Sequence, residues 1–158
     1  MKFIFATNNE NKLKELKDIA GDLDSDIEIL SLKDVNLNID VKETFETLEE
    51  NAIKKSKVVY KKLKSKLKDA YVISEDFGFF VEEYPEIAGV YSKRWMKGTD
   101  EDRNREVVRL MKNIENRKCY YKSVFGVFDG ELERVRKHWR RQRQCIVVAP
   151  RWRLRGHE

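Results

Sequence analysis

Phe3-Ile4-Phe5-Ala6-Thr7-Asn8-Asn9-Glu10-Asn11-Lys12-Leu13-Lys14-Glu15-Leu16 is the stretch whose reading decides the fold. Phe3 to Ala6 is a short apolar run, long enough for a buried strand. Thr7, Asn8 and Asn9 are small, polar turn and N-cap residues. Leu13, Leu16 and Ile19 then recur at three-residue steps, as one face of a helix does. The stretch reads as strand, tight polar turn and helix start. Free N–H groups and the positive helix end meet there and suit an anion, with Lys12 adding a full charge and phosphate as the expected guest. The same residues also make an ordinary strand-to-helix loop with a capping Asn, and the local pattern alone favours that plainer reading.

Outward from this stretch, the chain alternates strands and helices, as an α/β domain does. Asp26–Leu32 reads as a second strand, and residues 31–41 as loop and extended chain. A long helix is expected over Phe45–Leu67. Thr47-Leu48-Glu49-Glu50 gives it capping-box spacing, and Phe45, Leu48, Ala52, Val59, Leu63 and Leu67 mark one face. The lysines from Lys54 to Lys68 read as its solvated side. Ala70–Ser74 is a third strand, ending at Glu75-Asp76-Phe77-Gly78 and resuming over Phe79–Val81; residues 84–89 form a turn-bearing loop. Thr99 with Asp102 caps a helix carrying Val107, Leu110, Met111 and Ile114. Cys119–Phe128 is a strand, Asp129-Gly130 a hairpin signal, and Leu132 starts the return strand.

Glu75 and Asp76 are the second chemical clue. Acids directly after an apolar strand lie where α/β sheets place their sites, at the carboxyl edge. One can hold a divalent metal and one can take a proton from water. Successive side chains alternate in direction, so the two need not act as a pair, and adjacent carboxylates are also common as plain turn and cap residues.

With 158 residues, 41% hydrophobic and 39% charged, the chain suits one charge-rich globular domain. No run reaches membrane-spanning length, no apolar signal region follows Met1, and Cys119 and Cys145 make no metal or disulfide pattern, so a cytoplasmic setting is expected. The net charge of +5 is uneven: residues 1–133 hold 24 Lys+Arg against 27 Asp+Glu, and residues 134–158 hold 9 against 1. Both His and both Gln fall in that last segment, so the vocabulary changes at 133/134, dividing a domain at 1–133 from a basic tail at 134–158.

Several motifs, taken together and in order, resemble the inosine triphosphate pyrophosphatase family. Ala6-Thr7-Asn8-Asn9-Glu10-Asn11-Lys12 is similar to its Ala-Thr-(Gly/Asn)-Asn-x-x-Lys, and Glu43-Thr44 with Glu49-Glu50-Asn51-Ala52 to its Glu-Glu-Thr and Glu-Glu-Asn-Ala segments. Ser74-Glu75-Asp76-Phe77-Gly78 resembles Ser-Asp-Asp-Ser-Gly. Ile87-Ala88-Gly89-Val90-Tyr91-Ser92-Lys93-Arg94-Trp95 resembles Ala-Pro-Gly-Val-Tyr-Ser-Ala-Arg-Tyr, and Arg117–Tyr121 resembles Arg-x-Ala-x-Phe. Each motif is weak alone; the five in order span about residues 1–133.

The resemblance implies an α/β fold with a mixed sheet flanked by helices, less part of the family's C-terminal region. It implies a cytoplasmic, homodimeric, Mg²⁺-dependent hydrolase that splits purine nucleoside triphosphates such as ITP, dITP and XTP into monophosphate and pyrophosphate. By position, Thr7, Asn8, Asn9, Glu10, Asn11 and Lys12 hold the triphosphate, Asp76 is the general base and a metal contact, Phe77 touches substrate, and Glu43 is a further metal ligand. Lys42 stands where the family has another acid, Phe45 where it has Gly, and Phe77 where it has Ser. The family's Gly-Phe-Gly-Tyr-Asp segment, downstream Lys and Ser-His-Arg segment have no counterpart, so weak or promiscuous activity is expected. The switch at Arg134 suggests an out-of-frame end to the reading of the gene; resequenced DNA in which no shifted frame restores those motifs would rule this out. The alternative is a non-catalytic nucleotide or nucleic-acid binder, with Arg134, Arg136, Lys137, Arg140, Arg141, Arg143 and Trp139 on phosphates and bases.

Overall fold

β1 (Lys2–Phe5) sends alternate side chains into two different cores. Ile4 packs with Leu32, Val59, Leu63 and Val72, whereas Phe5 packs with Ala20 and Ile29, joined by Phe3, Leu13, Leu16 and Ile73. A strand buried on both faces needs a helix on each. α1 (Glu10–Leu23) supplies Leu13, Leu16 and Ala20 to one face, and α2 (Leu48–Leu63) supplies Val59 and Leu63 to the other. Val59 and Leu63, fully buried, contribute roughly 1.5–3 kcal/mol each. The computed structural model describes residues 1–23, 26–63, 70–91, 94–131 and 133–142. Leu67, Ser92, Lys93, Leu132, Arg143 and Cys145, and the rest of the tail beyond it, lie outside the described residues.

β2 (Glu28–Ser31) and β3 (Ala70–Val81) both pair with β1 in parallel, Ile4 lying opposite Leu30 and Val72. Parallel neighbours need crossover connections; α1 links β1 to β2 and α2 lies between β2 and β3. With β5 (Cys119–Phe128) and β6 (Glu133–Gln142), the strand order is β2-β1-β3-β5-β6. The α/β fold with a mixed sheet and flanking helices is the one expected from the sequence.

Two compact units divide the chain. Among the described residues, one holds Met1–Gly78 and Lys122–Trp139, the other Phe79–Tyr121 and Arg140–Gln142. These divisions fall within β3 and β5, and β6 runs through the compositional switch at 133/134. In the second unit, β4 (Ala88–Gly89) pairs antiparallel with Phe79 and Phe80. Gly89 has φ +54°, and a Cβ there would press on the Phe80 ring at 3.3 Å, so both conformation and space ask for glycine. α3 (Asp100–Leu110) carries the expected capping box: Thr99 N–H donates to Asp102 Oδ2 at 2.8 Å, and Asp102 N–H to Thr99 Oγ1 at 3.1 Å. Val81, Met111 and Cys119 form that unit's core with Phe79, Val107 and Ile114.

Two local expectations are corrected. Phe45 is not on the α2 face: the helix starts at Leu48, capped by Thr47 Oγ1 accepting from Glu50 N–H at 3.2 Å, and Phe45 precedes it, exposed, under the Lys54 ammonium. And β3 does not end at Ser74. It runs unbroken to Val81, so Glu75 and Asp76 lie mid-strand. Their neighbour β1 has ended, however, because Phe5 is paired with Ile73. The two acids therefore sit just past the carboxyl end of the parallel pair.

Gly126 sets how closely α2 approaches the sheet. A Cβ on it would stand 2.9 Å from the Ala52 carbonyl carbon and 3.0 Å from Ile53 N, and helix backbone cannot swing aside as a side chain can. Ser74 Oγ donates to Ala52 O in the same contact. Gly126→Ala is expected to destabilise the fold by ~1–3 kcal/mol, lowering the thermal midpoint by ~2–4 °C per kcal/mol. A calorimetric scan against wild type checks this.

Candidate active site

The turn after β1 is held by its own side chains. Asn9 Oδ1 accepts from the N–H groups of Asn11 and Lys12 at 3.0 and 3.3 Å, and Thr7 Oγ1 accepts from Asn9 N–H at 3.1 Å. Asn9 thus caps α1, and these amides are not the free N–H groups expected of an open anion site. Asn8 Nδ2 donates to Ile39 O at 2.9 Å, tying the turn to a distant segment. Glu10 pairs with Lys33 at 2.6 Å, both largely exposed. From this stretch it is the Lys12 side chain that reaches β3.

Asp76 is the most unusual group here. It is 4% exposed. Oδ1 accepts from Lys55 Nζ at 2.8 Å, while Oδ2 is buried and has no hydrogen-bond partner among the described residues. Burial pushes its carboxyl up to about 6; the hydrogen bond and charge of Lys55 pull the other way, and the charge of Glu43 adds to the rise. Burial opposes the charge on Lys55 too, but Asp76 and Glu43 outweigh it and hold its ammonium above the ordinary lysine range.

Lys55 is a correction to the reading of the α2 lysines as a solvated face. Its Nζ meets Glu43 Oε1, Asp76 Oδ1 and the Glu75 carbonyl, and its side chain is 14% exposed. The signal was in the spacing: Lys55 lies three residues after Ala52 and four before Val59, on the apolar stripe.

The rest of α2 holds Glu43 in place. Asn51, fully buried, accepts from Phe45 N–H at 3.0 Å and donates to Phe45 O at 3.2 Å. Lys54 Nζ donates to Lys42 O and Thr44 Oγ1, both at 2.8 Å, gripping the residues on either side of Glu43. Sequence reasoning placed Asn51 only within a motif and Lys54 in solvent. Glu49, on the next position around the helix, pairs with Lys122 of β5 at 2.8 Å.

Strand alternation separates the two acids. Ser74 and Asp76 meet α2, whereas Glu75 meets Lys12 of α1, Oε2 to Nζ 3.0 Å. Ser123 Oγ donates to the other Glu75 oxygen. Lys12 Nζ stands 5.3 Å from the centre of the Phe77 ring, which is exposed. So Lys12, Phe77, Glu43 and Asp76 are gathered around one stretch of β3. Thr7, Asn8, Asn9 and Asn11 shape the turn, and Glu10 points its charge at Lys33.

Among the described residues, no group of three or more His, Cys, Asp or Glu could hold a metal ion. Glu43 and Asp76 are nonetheless a fit for Mg²⁺, which takes one or two carboxylates and keeps waters and substrate phosphates as its other ligands. Their carboxylates already converge on one cation, the Lys55 ammonium, at 2.5 and 2.8 Å. No helix among the described residues is long and apolar enough to cross a membrane.

Comparison with known proteins agrees with the motif reading. The profile of the Ham1 family matches residues 3–146, running past position 133. A dITP/XTP pyrophosphatase from Caldanaerobacter subterraneus subsp. tengcongensis is 37% identical over 137 residues, covering 84% of this chain and 66% of that protein. One from Clostridium perfringens is 37% identical over 139 residues, covering 85% and 67%. The chain thus spans about two thirds of the length of these relatives. The Staphylococcus aureus Ham1 protein superposes with a TM-score of 0.73 at 26% identity, over 89% of this chain and 70% of the other. A HAM1 protein from Coxiella burnetii shares the fold, with a TM-score of 0.73 at 20% identity, over 89% and 71%. The family read from the motifs is thereby established: this chain belongs to the Ham1 family.

Proposed function

We propose that the chain is a nucleoside triphosphate pyrophosphatase that hydrolyses ITP, dITP and XTP to monophosphate and pyrophosphate. The observation that carries this reading is Asp76, buried, with one oxygen fixed by Lys55 and the other left to act. A carboxyl with a pKa of about 6 is ionised at neutral pH yet basic enough to take a proton in a transition state. Asp76 Oδ2 takes the proton from a water as its oxygen forms a bond to the α-phosphorus. The bond from that phosphorus to the oxygen bridging the β-phosphorus breaks, and its electron pair leaves on pyrophosphate. Lys55 holds the carboxylate in the acceptor orientation, and Lys12 offers its charge to the phosphate oxygens. A divalent cation, Mg²⁺ by family resemblance, would be held by Glu43 and Asp76 and would supply neutralisation of phosphate charge and a more acidic water. The names of the relatives support the substrate class. Cytoplasmic location and a homodimer complete the reading.

The test is pyrophosphate release from ITP, XTP and ATP with and without Mg²⁺. Metal-dependent release is expected. Binding of all three without release would overturn the enzymatic reading.

A further inference from the structure

We propose that Ser123 is a positioning residue that acts through Glu75 on Lys12, fixing the ammonium where it meets the substrate's phosphates. The inference rests on the pyrophosphatase reading, and on two contacts that the reading does not use. Ser123 Oγ, on β5, donates to Glu75 Oε1, and Glu75 Oε2 holds Lys12 Nζ at 3.0 Å. With one oxygen on each partner, the carboxylate plane cannot rotate freely. The side chains of Glu75 and Lys12 are 12% and 31% exposed, too covered for solvent to screen the pair as it screens a surface one. The Phe77 ring gives the ammonium a second support at 5.3 Å. A lysine has four rotatable side-chain bonds, and this chain of contacts removes much of that freedom before a triphosphate arrives. Asp76 takes no part, because it faces α2 while Ser123, Glu75 and Lys12 lie on the α1 side of β3.

The test is a double-mutant cycle with ITP. Lys12→Met is expected to raise KM about tenfold or more, and Ser123→Ala to raise it roughly three- to tenfold with kcat within about twofold. Ser123→Thr, which keeps the hydroxyl, restores KM, and Ser123→Ala adds nothing in the Lys12→Met background. The inference is overturned if Ser123→Ala leaves KM unchanged where Lys12→Met raises it, or if its effect survives intact without Lys12. A second readout is independent of turnover: the ¹³C signal of reductively dimethylated Lys12, assigned by its loss in Lys12→Met. It should move toward the free-lysine position in Ser123→Ala and return in Ser123→Thr; an unmoved signal overturns the inference. Failure of wild type to release pyrophosphate would count instead against the pyrophosphatase reading, with the Lys12 signal still deciding the role of Ser123.

Discussion

Asp76→Asn is expected to lower pyrophosphate release by about 10³-fold or more, because it removes the proton acceptor, and to leave the fold more stable at neutral pH. The stability sign follows from the raised pKa. The folded protein holds the Asp76 proton up to about pH 6, whereas the ordinary value is 3.8, so between these the native state binds more protons than the unfolded one. The stabilising contribution is complete below 3.8 and is lost as pH rises through about 6. Above that, the protein carries the cost of a buried carboxylate. Asn keeps an oxygen for Lys55 and removes the charge, a gain on the order of 1–2 kcal/mol after allowance for the weaker attraction to Lys55. The thermal midpoint at pH 7.5 should rise, and the advantage over wild type should vanish near pH 4. Wild-type activity should fall below about pH 6 with a slope of one proton. A variant that is both inactive and less stable at pH 7.5 would show that Asp76 mainly supports the fold.

Lys55→Met is expected to damage both stability and activity. Methionine fills similar volume, so the effect reports the charge. Without the ammonium, the carboxylates of Glu43 and Asp76 face each other with no cation between them. Removing one partner of a largely buried pair costs about 3–5 kcal/mol, and somewhat less here because part of Glu43 is solvated. Asp76 answers by binding its proton more tightly, so the acid limb of the activity profile moves to higher pH and activity at pH 7 falls about 10²-fold or more. Urea titration and a pH–rate profile measure the two effects. A profile unmoved by the substitution would mean that Lys55 does not set the charge state of Asp76.

What the sequence disclosed was local. Phe3–Leu16 folds as read; Thr47 caps α2 through Glu50 N–H and Thr99/Asp102 forms a full box, because cap and partner lie three residues apart. Features set by distant partners were hidden. Glu75-Asp76-Phe77-Gly78 looks like the end of a strand, yet β3 continues because Lys12 and Lys55, from two helices, satisfy its charges on opposite faces. Lys55 was hidden among solvated lysines, and its role depends on an aspartate 21 residues away. Phe45 was assigned to the helix because its spacing fits the stripe, but Asn51 takes both of its backbone groups and holds it outside. Gly126 carries no motif; only the nearness of Ala52 backbone explains it.

The most direct test of the central claim is identification of the products formed from ITP by wild type and by Asp76→Asn side by side. Inosine monophosphate and pyrophosphate in equal amounts from wild type, and almost none from the variant, are predicted. Inosine diphosphate with orthophosphate, or pyrophosphate released equally by both proteins, would contradict it.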